Sequence, residues 1–278
     1  MKRILFPTDF SDTAKNAFLY ALNMAEILNA EIILLHTFDI PLINSGEIPI
    51  NYKEIYDTIE LQQTTQFQDH IPELIQIATQ NNLQHIPMKH VIKSAGLHIA
   101  IEDAVKQNDV ALVVIGNSGS HAWFENWFGS NASDLITSLP VPILTVPKEA
   151  HFSAIKNIAF TNLYREKDFQ TLERISIIAK KLNATIKSIY VKISSSDITE
   201  DDIQMFQNRA SHLNVQFFVI PHDDVRETIE DFLATQQIDL LAILTSIRGF
   251  FAELFSSSLT QKLSSEIEVP ILSLHEED

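Results

Sequence analysis

Three glycines and a serine carry the most chemically suggestive spacing in the chain. Gly116, Gly119, Gly129 and Ser130 form the pattern Gly, two residues, Gly, nine residues, Gly-Ser, straight after the apolar run Val110 to Ile115. The chain has only six glycines, so three within fourteen positions mark a local demand. A buried strand that ends in glycine, a loop, and then Gly-Ser opening a helix can hold phosphate. The glycines let a ligand approach the backbone, and the helix start offers unpaired N–H groups. The same residues also suit an ordinary turn from strand to helix, so spacing alone leaves both readings open. Asp9, at the end of the first apolar run, is the nearby acid that can be placed at the site. It is either a ligand contact or a turn former. Neither Gly-x4-Gly-Lys-Ser/Thr nor Gly-x-Gly-x-x-Gly occurs, which disfavours P-loop ATPases and dinucleotide dehydrogenases. The pattern shows no positioned general base or nucleophile near the glycines.

The surrounding elements must position these residues. Lys2 to Phe6 reads as a first strand closed by Pro7, and Ser11 and Asp12 as the cap of a helix. Ala14, Ala17, Phe18, Ala21, Leu22, Ala25 and Leu28 recur at three- and four-residue steps, so that helix packs one face on a sheet and stops at Asn29. Glu31 to His36 reads as a strand covered on both faces. Residues 39–52 read as an irregular loop. A long helical pattern follows from about Lys53 to Asn81, with a kink or restart expected at Pro72. Lys89 to Ile92 reads as a third strand, about 97–108 as a helix opened by Gly96, and 110–115 as a fourth strand. A helix from Gly129-Ser130 to about Ser138 and a last strand over Val141 to Val146 complete the pattern. Alternation of this length implies a parallel sheet with helices on both faces.

Composition limits the functional classes. A net charge of −16 and no basic stripe argue against nucleic acid. A polyphosphate would have to be held by backbone N–H groups, hydroxyls and a divalent metal. No apolar run approaches the roughly 18–20 residues that span a bilayer, and the apolar patch near Met1 is too short for a signal peptide. The absence of cysteine excludes disulfides and thiolate metal sites and fits a cytoplasmic setting. The ten histidines are scattered, without metal-ligand spacing.

The second half repeats the first. Leu28-Asn29-Ala30 recurs as Leu182-Asn183-Ala184, an offset of 154, and Val141-Pro142-Ile143-Leu144 recurs as Val269-Pro270-Ile271-Leu272, an offset of 128. The two offsets differ by 26 residues, the stretch missing from the middle of the second copy. The chain therefore reads as a tandem duplication joined at about Pro147 to Lys156, with domains at 1–148 and 155–278. The copies differ where chemistry was suspected. Gly116, Gly119 and Gly129 become Leu244, Ile247 and Ser257, Asp9 becomes Leu163, and only Ser130 persists, as Ser258. Glycines that served the fold alone would be needed twice, so the loss favours a phosphate site in the first copy. Trp123, Phe124, Trp127 and Phe128 lie in the nine-residue loop; with Phe251 and Phe255 in the second copy, they read as packing rather than a nucleotide lid or partner surface.

At this point the sequence resembles the universal stress protein family in its tandem form. The glycine spacing, the opening Leu5-Phe6-Pro7-Thr8-Asp9-Phe10-Ser11 and the twice-repeated Val-Pro-Ile-Leu carry the resemblance. It implies an α/β fold of two Rossmann-like (adenine nucleotide alpha hydrolase-like) domains, each an open five-stranded parallel sheet with helices on both faces. A ligand then lies where the strand order reverses, between the first and fourth strands. It also implies ATP, or AMP or ADP, with Mg²⁺ or Mn²⁺. By position, Thr8 and Asp9 would lie at the ribose or adenine end and Thr37 at the adenine edge. Gly116 and Gly119 would border the ribose and phosphates, and Gly129, Ser130 and Asn131 would hold the phosphates. The last strands would join the halves as a built-in dimer, with a homodimer also possible. The expectation is a cytoplasmic stress-response protein with one intact and one degenerate site, no nucleic-acid or membrane partner, and at most weak ATPase activity. The alternatives are a scaffold without nucleotide and, further off, a slow ATP-hydrolysing enzyme.

Overall fold

The apolar runs become strands because both their faces are covered. In the computed structural model, which describes residues 1–38, 52–117, 139–244 and 269–275, the first half supplies β1 (Arg3–Pro7), β2 (Glu31–Thr37), β3 (Met88–Lys93), β4 (Val110–Asn117) and β5 (Ile143–Pro147). Its helices are α1 (Asp12–Leu28), α2 (Tyr52–Gln80) and α3 (Leu97–Gln107). The second half supplies β6 (Asn157–Thr161), β7 (Thr185–Lys192), β8 (Val215–Pro221), β9 (Leu240–Leu244) and β10 (Ile271–Leu274). Its helices are α4 (Glu166–Leu182), α5 (Glu200–Arg209) and α6 (Val225–Thr235).

All ten strands join one sheet in the order β3-β2-β1-β4-β5-β10-β9-β6-β7-β8. Every pairing is parallel except β5 with β10, which run antiparallel with Leu144 opposite Leu272. Each half contributes five strands, and the halves fuse edge to edge through their last strands, so each hides an edge strand that would otherwise offer unpaired backbone groups. The core lies on both faces. Side chains of α1, α2, α4 and α5 pack on one face, and those of α3 and α6 on the other.

The register repeats as the sequence offsets require. Ile4 pairs with Ile32 in the first half as Ile158 pairs with Ile186 in the second. Ile4 also meets Leu112, as Ile158 meets Leu240. Gly116 lies beside Val146, as Leu244 lies beside Leu274. The repeated Leu-Asn-Ala is a repeated helix stop. Asn29 (φ 51°) and Asn183 (φ 54°) take the left-handed conformation, and their N–H groups reach Ala25 and Ala179. Asparagine tolerates that conformation better than most side chains.

Of the kink or restart expected at Pro72 the restart is excluded, and the end of one strand is corrected. Helix α2 continues through Pro72 with no restart. An internal proline costs about 3 kcal/mol or more, but Phe67, Leu74 and Ala78 on either side of it are buried in the same core. Full burial of each of the two larger side chains contributes roughly 1.5–3 kcal/mol, enough to hold the helix together. Strand β4 extends to Asn117, so Gly116 is a strand residue rather than the first residue of a loop.

Candidate functional site

The candidate site is built at the C-terminal edge of the first five strands. Strand β1 lies between β2 and β4, so the chain order reverses beside it and leaves the crevice in which ligands of open α/β sheets bind. Helix α1 begins there after a tight turn of five residues, Pro7 to Ser11. Thr8 N–H donates to the Leu35 carbonyl at 2.9 Å, tying the turn to β2. The Thr8 Oγ1 accepts from Phe10 N–H at 3.0 Å, Asp9 Oδ1 accepts from Ser11 N–H at 3.0 Å, and Ser11 Oγ caps the helix by accepting from Ala14 N–H at 3.2 Å. His36 Nδ1–H donates to the Thr8 carbonyl at 2.9 Å. Phe10 is left-handed, φ 61°, which costs an ordinary residue roughly 1–2 kcal/mol. Its ring offsets this by stacking on His70 at 4.7 Å and meeting Phe67 edge-on at 5.3 Å.

The sequence-derived residues fall into three groups. Asp9 and Thr37 are half-buried at the ends of β1 and β2, in reach of the crevice. Thr8 is 0% exposed and its side chain is committed to the turn. Gly116 is buried, and a Cβ there would meet the Thr13 carbonyl oxygen at 2.8 Å and Thr13 Cγ2 at 3.0 Å. This glycine therefore lets the first turn of α1 close onto β4 at the point of reversal. Gly119, Gly129, Ser130 and Asn131, together with the Trp123, Phe124, Trp127 and Phe128 loop, lie outside the described residues. Asn16 of α1 donates to the Pro147 and Ala150 carbonyls at 3.2 and 2.8 Å and holds the chain leaving β5 against the same helix.

The second half keeps the turn and changes its surface. Asn162 stands where Thr8 stands, and its Oδ1 accepts from Tyr164 N–H at 2.9 Å. Tyr164 repeats the left-handed backbone of Phe10, φ 56°. Leu163 replaces Asp9, Val191 replaces Thr37, and Leu244 occupies the place of Gly116. Helix α1 lies close along β4, whereas α4 stands further off β9, which makes room for the leucine. The cap changes too. Asp168, 2% exposed, accepts from the N–H groups of Leu163 at 2.8 Å and Arg165 at 3.0 Å. Burial pushes its carboxyl up, and the two backbone donors pull it partly back. The paired Phe10 and Tyr164 turns were missed by the spacing argument. The signal was present as an aromatic residue at both aligned positions, but nothing in a side chain's identity announces a left-handed backbone.

The model of the universal stress protein family matches residues 1–147. The chain belongs to the universal stress protein family. A curated universal stress protein of Synechocystis sp. is 25% identical over 300 residues, covering 98% of this chain and 99% of that protein. Universal stress protein A of Yersinia pestis is 28% identical over 149 residues, 52% of this chain and 91% of its own length. The crystal structure of a universal stress protein from Archaeoglobus fulgidus shares the fold over 99% of this chain and 97% of its own, with a TM-score of 0.71 at 15% identity. The first of these relatives spans nearly all of this universal stress protein and the second about half of it. Among the described residues no helix is long and apolar enough to cross a membrane, and no group of three His, Asp or Glu side chains is placed to hold a metal.

Proposed function

We propose that the protein is a stress-response regulator that binds ATP, or a related adenine nucleotide, once per chain. The site lies in a first domain, 1–148, and a second domain, 155–278, acts as its degenerate partner in an intramolecular pseudo-dimer. The observation that carries this reading is the contrast between two crevices of matched register. The first is edged by Asp9, Thr37 and Gly116, and the second by Leu163, Val191 and Leu244.

The residues present suit a nucleotide's sugar and base. The half-buried Asp9 carboxylate can accept from ribose hydroxyls or an adenine amine, and Thr37 offers a hydroxyl at the neighbouring strand end. The phosphates fall to Gly119, Gly129, Ser130 and Asn131, with Mg²⁺ or Mn²⁺ shared with the phosphate oxygens. An exposed helix N-terminus favours an anion by about 0.3–1 kcal/mol per charge, so binding without a lysine is feasible and weaker than in a P-loop. Among the described residues no side chain is placed as a general base, and any hydrolysis is slow and depends on a partner. The pseudo-dimer is supported by the antiparallel β5–β10 seam, reinforced by Thr145 Oγ1 donating to the Ile271 carbonyl at 3.3 Å.

The test is the nucleotide content of protein purified without added ligand. Denaturation followed by absorbance and mass measurement is expected to release an adenine nucleotide. Protein that releases none, and takes up none when ATP and Mg²⁺ are supplied, would establish the scaffold alternative.

A further inference from the structure

His36, near the end of β2, holds the turn that carries Asp9 from both sides. Its Nδ1–H donates to the carbonyl of Thr8, the residue before Asp9, at 2.9 Å. Its ring lies 5.7 Å from that of Phe10, the residue after Asp9, and 5.9 Å from Phe67 of α2. The Thr8 carbonyl and the Asp9 N–H belong to one planar peptide unit. Fixing that carbonyl therefore fixes the plane from which the Asp9 side chain leaves the backbone. Thr8 N–H is already tied to the Leu35 carbonyl at 2.9 Å, so β2 grips this residue twice.

The second half shows which of these ties the turn itself requires. Asn162 N–H donates to the Ile189 carbonyl at 3.0 Å, repeating the bond from Thr8 to Leu35. At the offset of 154 the residue aligned with His36 is Tyr190. Its ring meets Tyr164 edge-on at 5.2 Å, repeating the contact of His36 with Phe10, but its hydroxyl is engaged by Ser196. The left-handed residue forms in both halves, φ 61° at Phe10 and φ 56° at Tyr164. A backbone tie and a ring contact are thus common to both turns, whereas an imidazole bonded to the carbonyl belongs to the half that carries Asp9. In the other half that position is Leu163, which has no polar group to aim.

We infer that His36 is a positioning residue for the nucleotide site: its hydrogen bond to the Thr8 carbonyl aims the Asp9 carboxylate into the crevice. It acts through Asp9 rather than on the ligand. The inference rests on nucleotide binding in the first half and adds to it a residue that the glycine pattern does not contain.

The experiment compares the full chain with His36→Leu, which removes the donor and keeps an apolar body, and with His36→Asn. The asparagine amide nitrogen lies as many bonds from the backbone as the imidazole Nδ1 and is also a donor. Calorimetry with ATP and Mg²⁺ reads affinity. Amide hydrogen exchange without nucleotide reads the Ser11 N–H, whose bond to Asp9 Oδ1 at 3.0 Å reports where the carboxylate points. His36→Leu is expected to bind ATP about fivefold more weakly, the contribution of one neutral hydrogen bond. Its Ser11 N–H should exchange faster while the Thr8 N–H and those within α1 keep their protection, and His36→Asn should restore both readouts. If His36→Leu does not fold, as judged by circular dichroism, His36→Tyr takes its place, since the second half folds with tyrosine there. Wild-type affinity in His36→Leu, unchanged Ser11 exchange, no rescue by His36→Asn, or faster exchange spread through Thr8 and α1 would each overturn the inference while leaving the nucleotide reading intact. A wild-type chain that takes up no ATP would overturn that reading and the inference with it.

Discussion

Gly116 shows how one residue can serve the fold and the candidate site together. Its missing Cβ admits the Thr13 carbonyl, and so admits the start of α1 to the reversal point of the sheet. Replacing it with alanine forces backbone against side chain, the kind of overpacking that costs typically about 1–3 kcal/mol. Urea unfolding of Gly116→Ala is therefore expected to show a lower midpoint with an unchanged slope, and an unaltered midpoint would remove the packing role assigned here. The result also qualifies the sequence argument from glycine loss. Leu244 fits the second half because α4 stands off β9, so this one glycine is explained by helix position. Leu163 and Val191, which replace Asp9 and Thr37, pack against the two core clusters, so the contrast at these positions is a change from polar to apolar packing.

At the scale of elements, α1 links the turn, the sheet and the exit from β5. Tyr20 on this helix is 3% exposed and meets Phe152 edge-on at 4.9 Å. Burial, and secondarily the charge of Asp239, push its hydroxyl up to about 12 from 10.0. For an acid whose folded pKa is raised, the unfolded chain loses its proton first. Stability is then intact below pH 10 and is lost as pH rises from there towards 12. Ultraviolet absorbance should show a tyrosine titrating near pH 12 that is missing in Tyr20→Phe, whose alkaline loss of stability should also be smaller. The same spectrum in both proteins would contradict the assignment. The elements themselves were largely legible in the residues. Alanine-rich spacing foretold the buried face of α1, continuous apolar runs foretold β2 and β4, and Asn29 and Asn183 marked matched helix stops. At Pro72 the helix does not restart, because local propensity is outweighed by Phe67 and Leu74 packing into one core. The left-handed turns at Phe10 and Tyr164, and the bond from His36 to the Thr8 carbonyl, were not legible, since backbone sign and hydrogen-bond partnership arise only once distant segments meet.

The described residues build a ten-stranded sheet in which the two sequence offsets, 154 and 128, reappear as matching strand registers. Its halves meet through the antiparallel β5–β10 pair, so an alteration in one half is held in fixed relation to the other. The matched registers make the chain its own control: the scaffold is common, and the residues edging each crevice differ. The net charge of −16 adds that neither crevice can rely on a basic surface, which fits binding by backbone groups and a shared divalent cation. The central claim is that the first half alone retains a nucleotide site. Calorimetric titration of nucleotide-free protein with ATP and Mg²⁺ tests it most directly. A stoichiometry near one ATP per chain, lost on Asp9→Leu and unaffected by Leu163→Asp, is the predicted result; a stoichiometry near two, or no heat at all, would contradict it.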